Sequence, residues 1–293
     1  MSNWSGTSKG NHFGYLIFIQ AMRFFGLRSA YFILFFVALY YVLFSNTNKF
    51  VLDYFRNTLK YSIFKSYISL YKNYYILGQT IIDKFAAMSG LGSKFLINYS
   101  GIEYLREIDK NGTGAILLSA HIGNYEIAAH HLNELKTPVN IIMYDGEQKA
   151  IKETLNNSGF KRSSHIIYIK DDLSHIFEIA NKLLNKEIVI MHADRFQKDM
   201  KTFDTMVMGR MASLPLGPFQ IISKFKNVPI AFVFGFKQGT FNYNLYTTSP
   251  FFSTDLTITE IVERYTKAIE IKIEKYPLQW FNYFYFWKLQ SKL

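Results

Sequence analysis

Residues 115–132 read AILLSAHIGNYEIAAHHL and constrain the fold more than any other stretch. Ala115 to Leu118 is a short, wholly apolar run, the pattern of a strand buried on both faces. It ends at Ser119-Ala120, so His121 stands at the strand's C-terminal end. Ile122-Gly123-Asn124 predicts a tight exit, and Tyr125–Leu132 predicts a helix. A strand that passes a His through a glycine turn to a helix start suits an α/β fold, in which strand ends and helix N-termini face one crevice. Glu126 follows His121 by five positions. With His121 in the turn and Glu126 in the first helical turn, the chain can fold back and bring them together. A carboxylate on one imidazole nitrogen sets the tautomer and makes the other nitrogen a better base.

The flanking sequence repeats the same alternation. A helix over Ile102–Asp109 ends in the turn Asn111-Gly112-Thr113-Gly114. Strands are expected at Val139–Tyr144, His165–Lys170, Glu187–Met191, Pro229–Phe236 and Phe241–Thr247. Helices are expected at Glu147–Asn157, at Leu173–Leu184 behind an Asp171 or Asp172 cap, and at Glu260–Lys275. The predicted fold class is α/β, a central mostly parallel sheet flanked by helices.

Three further clusters bear on chemistry. His192-Ala193-Asp194-Arg195 also follows a predicted strand and so can lie beside His121. Arg195 either pairs with Asp194 or binds an anionic substrate group while Asp194 positions polar groups. In Met208–Phe225, Gly209, Pro215, Gly217 and Pro218 predict a loop entering a helix, suited to close approach of backbone N–H groups to a ligand, with Arg210 nearby. Tyr276–Tyr283 is rich in aromatics and reads as core packing or a membrane-facing belt.

The N-terminal third differs in character. Ser29–Asn48 carries no charge, and its strongly apolar part, Ala30–Phe44, is short for a full span, which needs about 20 residues. Residues 1–100 hold ten Lys/Arg against two Asp/Glu, +8 of the chain's +11. Basic residues beside apolar ones favour an anionic membrane surface. Nucleic acid is not an expected partner, because the basic residues are interleaved with long apolar runs and no nucleic-acid motif is present. Residues 1–48 are therefore expected to be a membrane-anchoring segment, a tilted helix or an interfacial hairpin, with a buried core helix as the alternative. Residues 49–293 form the catalytic domain, its first part, 49–100, helical and near the lipid. The absence of Cys excludes disulfides, thiolate metal sites and a Cys nucleophile.

Four elements in order resemble the bacterial lipid A biosynthesis (lauroyl/myristoyl-type) acyltransferases of the lysophospholipid acyltransferase superfamily. They are the His–four residues–Glu spacing of His121 to Glu126, the strand end Ala193-Asp194-Arg195, the block Gly209, Ala212, Pro215 and Gly217, and the C-terminal Pro277, Gln279 and Trp280. The chain departs from the family pattern in having Val207-Met208 in place of aromatics, Arg195 in place of Gln, and aromatics in place of basic residues after Trp280. The resemblance implies transfer of an acyl group from a thioester of acyl carrier protein or coenzyme A to a hydroxyl or amine of a lipid acceptor. The acceptor can be lipid A, another glycolipid, an amino-acid lipid or a polyene. It implies His121 as general base, Glu126 as its orienter, no cofactor or metal, and a place at the bacterial inner membrane on its cytoplasmic side. Amide groups near Gly123 and Asn124 would stabilise the oxyanion, and Arg195 and Arg210 would hold an acceptor anion. Two alternatives stand beside it. Glu126 and His130 at i,i+4 spacing with His121 could bind zinc in a metallohydrolase. A non-catalytic membrane scaffold is the other.

Overall fold

The uncharged apolar stretch near the N-terminus forms a helix that buries one face against the rest of the chain and exposes the other. The computed structural model describes residues 20, 22, 24–87, 92–132, 135–144, 164–170, 172–197 and 199–288. Helix α1 (Leu27–Phe44) is followed by α2 (Asn48–Asp53), a π-helical turn (Tyr54–Thr58) and α3 (Ile63–Ala86), whose N-terminus Ser62 caps. Leu27, Ala30, Tyr31, Leu34 and Ala38 of α1 turn inward at helical spacing. Gly78 of α3 lets α1 come close, since a Cβ there would sit 2.2 Å from Leu34 Cδ1. The opposite face of α1 exposes Phe32, Phe36, Tyr40 and Phe44, and α3 exposes Ile63 and Phe64. Helix α1 is long and apolar enough to cross a membrane, with a mean hydropathy of 1.9, and only 28% of it is buried. That small share argues against the core-helix alternative.

The sheet-bearing region then runs β1 (Leu96–Ser100), α4 (Ile102–Asn111), β2 (Ala115–Ser119), α5 (Tyr125–Leu132), β3 (Val139–Tyr144), β4 (His165–Ile169), α6 (Ser174–Leu184) and β5 (Ile188–His192). It continues through β6 (Thr202–Val207), β7 (Arg210–Pro215), α7 (Leu216–Lys224), β8 (Ile230–Lys237), β9 (Asn242–Thr247) and α8 (Ile258–Lys275). A capping box between Thr257 and Glu260 starts α8.

Seven strands form one sheet in the order β1-β9-β8-β2-β5-β3-β4. From β8 to β4 all neighbours are parallel; β9 runs antiparallel to β8, and β1 parallel to β9. The expected mostly parallel sheet flanked by helices is therefore present. Strands β2 and β8 are buried along their whole length, as their unbroken apolar runs require. Two elements were not foreseen. Strand β1 is short and largely exposed, so it has no apolar run to betray it. The block at Gly209 is an antiparallel hairpin of β6 and β7, with Met208 (φ 52°) and Gly209 (φ 73°) forming its two-residue turn. The expected helix Glu147–Asn157 lies outside the described residues.

Candidate active site

Strands β2 and β5 are parallel neighbours with Ser119 opposite His192. Two residues beyond each strand end, this register brings His121 level with Asp194. One carboxylate oxygen of Asp194 accepts the His121 backbone N–H at 2.9 Å, and the other lies 2.8 Å from His121 Nδ1. Burial alone would push the Asp194 carboxyl up, but the charge and hydrogen bond of His121, and then Arg195, outweigh it and hold it below the usual carboxylate range. An ionised Asp194 can only accept, so His121 Nδ1 carries a proton toward it, and Nε2 is the ring nitrogen that Asp194 does not engage. The ring of His192 lies 4.6 Å from that of His121 and 4.5 Å from that of Tyr125. Burial, then the charge of His121, push the His192 imidazole down to about 3, so it is neutral near neutral pH.

The turn carrying His121 is built for closeness. Gly123 has φ +68°, and a Cβ there would sit 2.0 Å from the carbonyl oxygen of Gly235. The C-terminal segment clamps the same turn. Gly123 N–H donates to Gln279 O at 2.7 Å, Phe281 N–H to His121 O at 3.3 Å, and Ile122 forms an isolated bridge with Trp280. The Gln279 side chain accepts from Lys237 N–H and donates to Lys237 O. Thus Gln279, Trp280 and Phe281, in a segment read from sequence as core packing or a membrane-facing belt, hold the His121 turn, and Gln279 joins it to β8. This clamp also corrects an expectation. The amide of Gly123 is committed to Gln279, and that of Asn124 donates to Gly235 O at 2.7 Å. Neither N–H is available to an oxyanion. Asn124 instead caps α5, its Oδ1 accepting from Ile127 N–H.

His121, Tyr125 and Glu126 line a cavity of about 910 Å³ whose other walls are mainly apolar, among them Ile141, Ile169, Ile176 and Ile221. Glu126 is ion-paired with Lys84 of α3, and the carboxylate that holds His121 Nδ1 is that of Asp194. The orienting position expected for Glu126 is therefore filled by Asp194. Arg195 also lines the cavity; its Nη2 donates to Phe281 O at 2.6 Å and its guanidinium lies 5.6 Å from the Phe284 ring. Its expected internal partner, Asp194, bonds His121, and the Arg195 charge helps hold that carboxyl low. Gly217, at the start of α7, lines the cavity with space beside its Cα. Gly209 and Arg210 do not line it. Arg210 bonds Asp53 at 2.8 Å and Thr58 at 2.9 Å and lies over the Trp287 ring, tying the N-terminal helices to the C-terminal segment. Its position is structural because the hairpin carries it away from β2.

The zinc reading finds no support among the described residues, where no three His, Asp or Glu side chains are placed to hold a metal ion. The side chain of His130 lies outside what is described. Sequence reasoning missed Lys84 and the hold of Asp194 on His121. The second had a usable signal, since both residues follow adjacent buried strands at equal offset.

Among curated proteins, no sequence matches this chain. A solved structure similar in shape is the 1-acyl-sn-glycerophosphate (LPA) acyltransferase PlsC from Thermotoga maritima, with 13% identity, 84% of this chain and 99% of that chain covered, and a TM-score of 0.41. The model of the bacterial lipid A biosynthesis acyltransferases matches residues 73–288, a span that holds His121, Glu126, Asp194 and the Gln279–Trp280 clamp. The chain is an acyltransferase and belongs to the bacterial lipid A biosynthesis acyltransferase family.

Proposed function

We propose that this enzyme moves a fatty acyl group from a thioester of acyl carrier protein or coenzyme A to a hydroxyl of a membrane lipid, with His121 as general base. The observation that carries the reading is the His121–Asp194 pair beside a large apolar cavity. The cavity's aliphatic walls suit the acyl chain. His121 Nε2 takes the proton of the acceptor hydroxyl as its oxygen bonds the thioester carbon; the C–S bond then breaks and the thiolate leaves with that proton. General-base help of this kind contributes roughly 10²–10⁴ in rate. Asp194 keeps the tautomer and stabilises the imidazolium, Glu126 adds a second carboxylate at the cavity wall, and Arg195 binds an anionic group of the acceptor. The apolar face of α1 and the basic residues that follow hold the enzyme on the cytoplasmic side of the bacterial inner membrane.

The test is thioester turnover by the full chain in detergent, with palmitoyl carrier protein and palmitoyl-coenzyme A as donors and a total bacterial lipid extract as acceptor. His121→Ala should abolish transfer with the fold retained. Turnover above a tenth of the parent would remove His121 from the role of base.

A further inference from the structure

We propose that Lys84 is a positioning residue for the reaction, so that helix α3, from the membrane-proximal region, braces the active-site wall from behind. The motive is a set of contacts from one turn of α3 to both sides of Tyr125. Lys84 Nζ is ion-paired with Glu126, and both side chains are nearly buried, 10% and 13% exposed. One turn earlier, Thr80 O accepts from Asn124 Nδ2 at 3.2 Å. Between them, Asp83, fully buried, pairs with Lys237 of β8 and accepts from the hydroxyls of Tyr31 and Tyr243. Tyr243 in turn accepts from Asn124 Nδ2 at 3.1 Å. Helix α3 thus grips the start of α5 at residues 124 and 126, and Asp83 ties that grip to α1 through Tyr31.

The chemistry explains why a lysine stands there. Glu126 and Asp194 bring two carboxylates to the wall of one mainly apolar cavity beside a single imidazole. Asp194 is offset by His121; a second carboxylate in such surroundings needs its own cation or it is driven to the neutral acid. Lys84 supplies that cation from outside the cavity, since it is not among the lining residues. A membrane anchor made only to hold the enzyme at lipid would not need a buried charge aimed at α5.

The catalytic part of this assignment rests on the acyl-transfer reading; the grip on α5 does not. Lys84→Met keeps the length and removes the charge, and Lys84→Arg restores it. With palmitoyl-coenzyme A or palmitoyl carrier protein as donor, Lys84→Met should lower kcat at least tenfold with donor KM within threefold, and Lys84→Arg should recover kcat to within threefold of the parent. Hydrogen exchange supplies a readout that needs no activity. The amides of Ile127 and Ala128 should exchange at least tenfold faster in Lys84→Met than in Lys84→Arg, with the β2 and β8 amides unchanged. A kcat within threefold of the parent, or unchanged Ile127 and Ala128 exchange, overturns the proposal. So does a loss in both variants that follows a lowered melting temperature. If the parent turns over no faster than His121→Ala, the acyl-transfer reading fails, and the exchange data alone decide whether Lys84 holds α5.

Discussion

Asp194 holds His121 twice, one oxygen on the backbone N–H at 2.9 Å and the other on ring Nδ1 at 2.8 Å. A single buried carboxylate therefore sets the place and the tautomer of this imidazole together. Asp194→Asn presents an amide whose NH₂ group can face Nδ1, favouring the tautomer with the proton on Nε2. It should lower kcat by roughly 10²–10⁴, the range of general-base help, with the fold retained. Steady-state kinetics beside a melting curve check this. A variant with near-parental kcat would return the orienting role to Glu126.

Arg195 stands between the cavity and the C-terminal clamp. If it binds an acceptor anion, Arg195→Lys should lose the planar fork and cut acceptor kcat/KM by roughly 10–150-fold, equivalent to about 1.5–3 kcal/mol, with less effect on the donor. If its bond to Phe281 O only braces the C-terminal segment, the losses will be equal for both substrates and the melting temperature will fall. Varying donor and acceptor separately distinguishes the two.

Two glycines with similar φ should respond differently. Gly123→Ala meets the Gly235 carbonyl and should destabilise by about 2–4 kcal/mol, with loss of activity. Gly209→Ala has open space around it and should cost only about 1 kcal/mol of turn strain, leaving kcat unchanged. Loss of turnover in a folded Gly209→Ala enzyme would put the β6–β7 turn back at the site.

The pH dependence of stability follows from His192. Its folded-state value is pushed down to about 3 by burial and the charge of His121, whereas an unfolded His titrates near 6.5. Between these values the unfolded chain binds the extra proton, so stability is whole above pH ~6.5 and falls as the pH drops toward ~3. The loss from pH 7 to 4.5 should reach about 2.5 kcal/mol. Asp194, held low, stays ionised over this range and its contribution is lost only below pH ~4. Melting curves of His192→Phe should show a flatter slope between pH 6.5 and 4.5; an unchanged slope would acquit His192.

Membrane attachment is testable by sedimentation with anionic vesicles. The full chain should sediment, and a chain starting at Asn48 should bind less and be released by high salt, because only basic residues and the exposed start of α3 remain. Complete, salt-resistant binding of the short form would contradict α1 as anchor.

What the sequence determined alone is what local periodicity encodes. The buried runs at Ala115–Leu118 and Val139–Tyr144 and the helix at Tyr125–Leu132 are legible because each element's apolar pattern repeats at its own period. The same locality places His121 at a strand end. The uncharged apolar run from Ser29 to Phe44, which makes up most of α1, was legible from its composition. Short β1 and the β6–β7 hairpin were not, since their half-exposed residues carry no such pattern. Only the tertiary structure decided which carboxylate holds His121. Asp194 is 73 positions away and meets it through strand register, while Glu126, five positions away, is ion-paired with Lys84, 42 positions before it. Likewise it moved Arg210 out of the site and turned Gln279 into a clamp. Partners of this kind are set by which strands and helices become neighbours, and residue spacing along the chain does not contain that information.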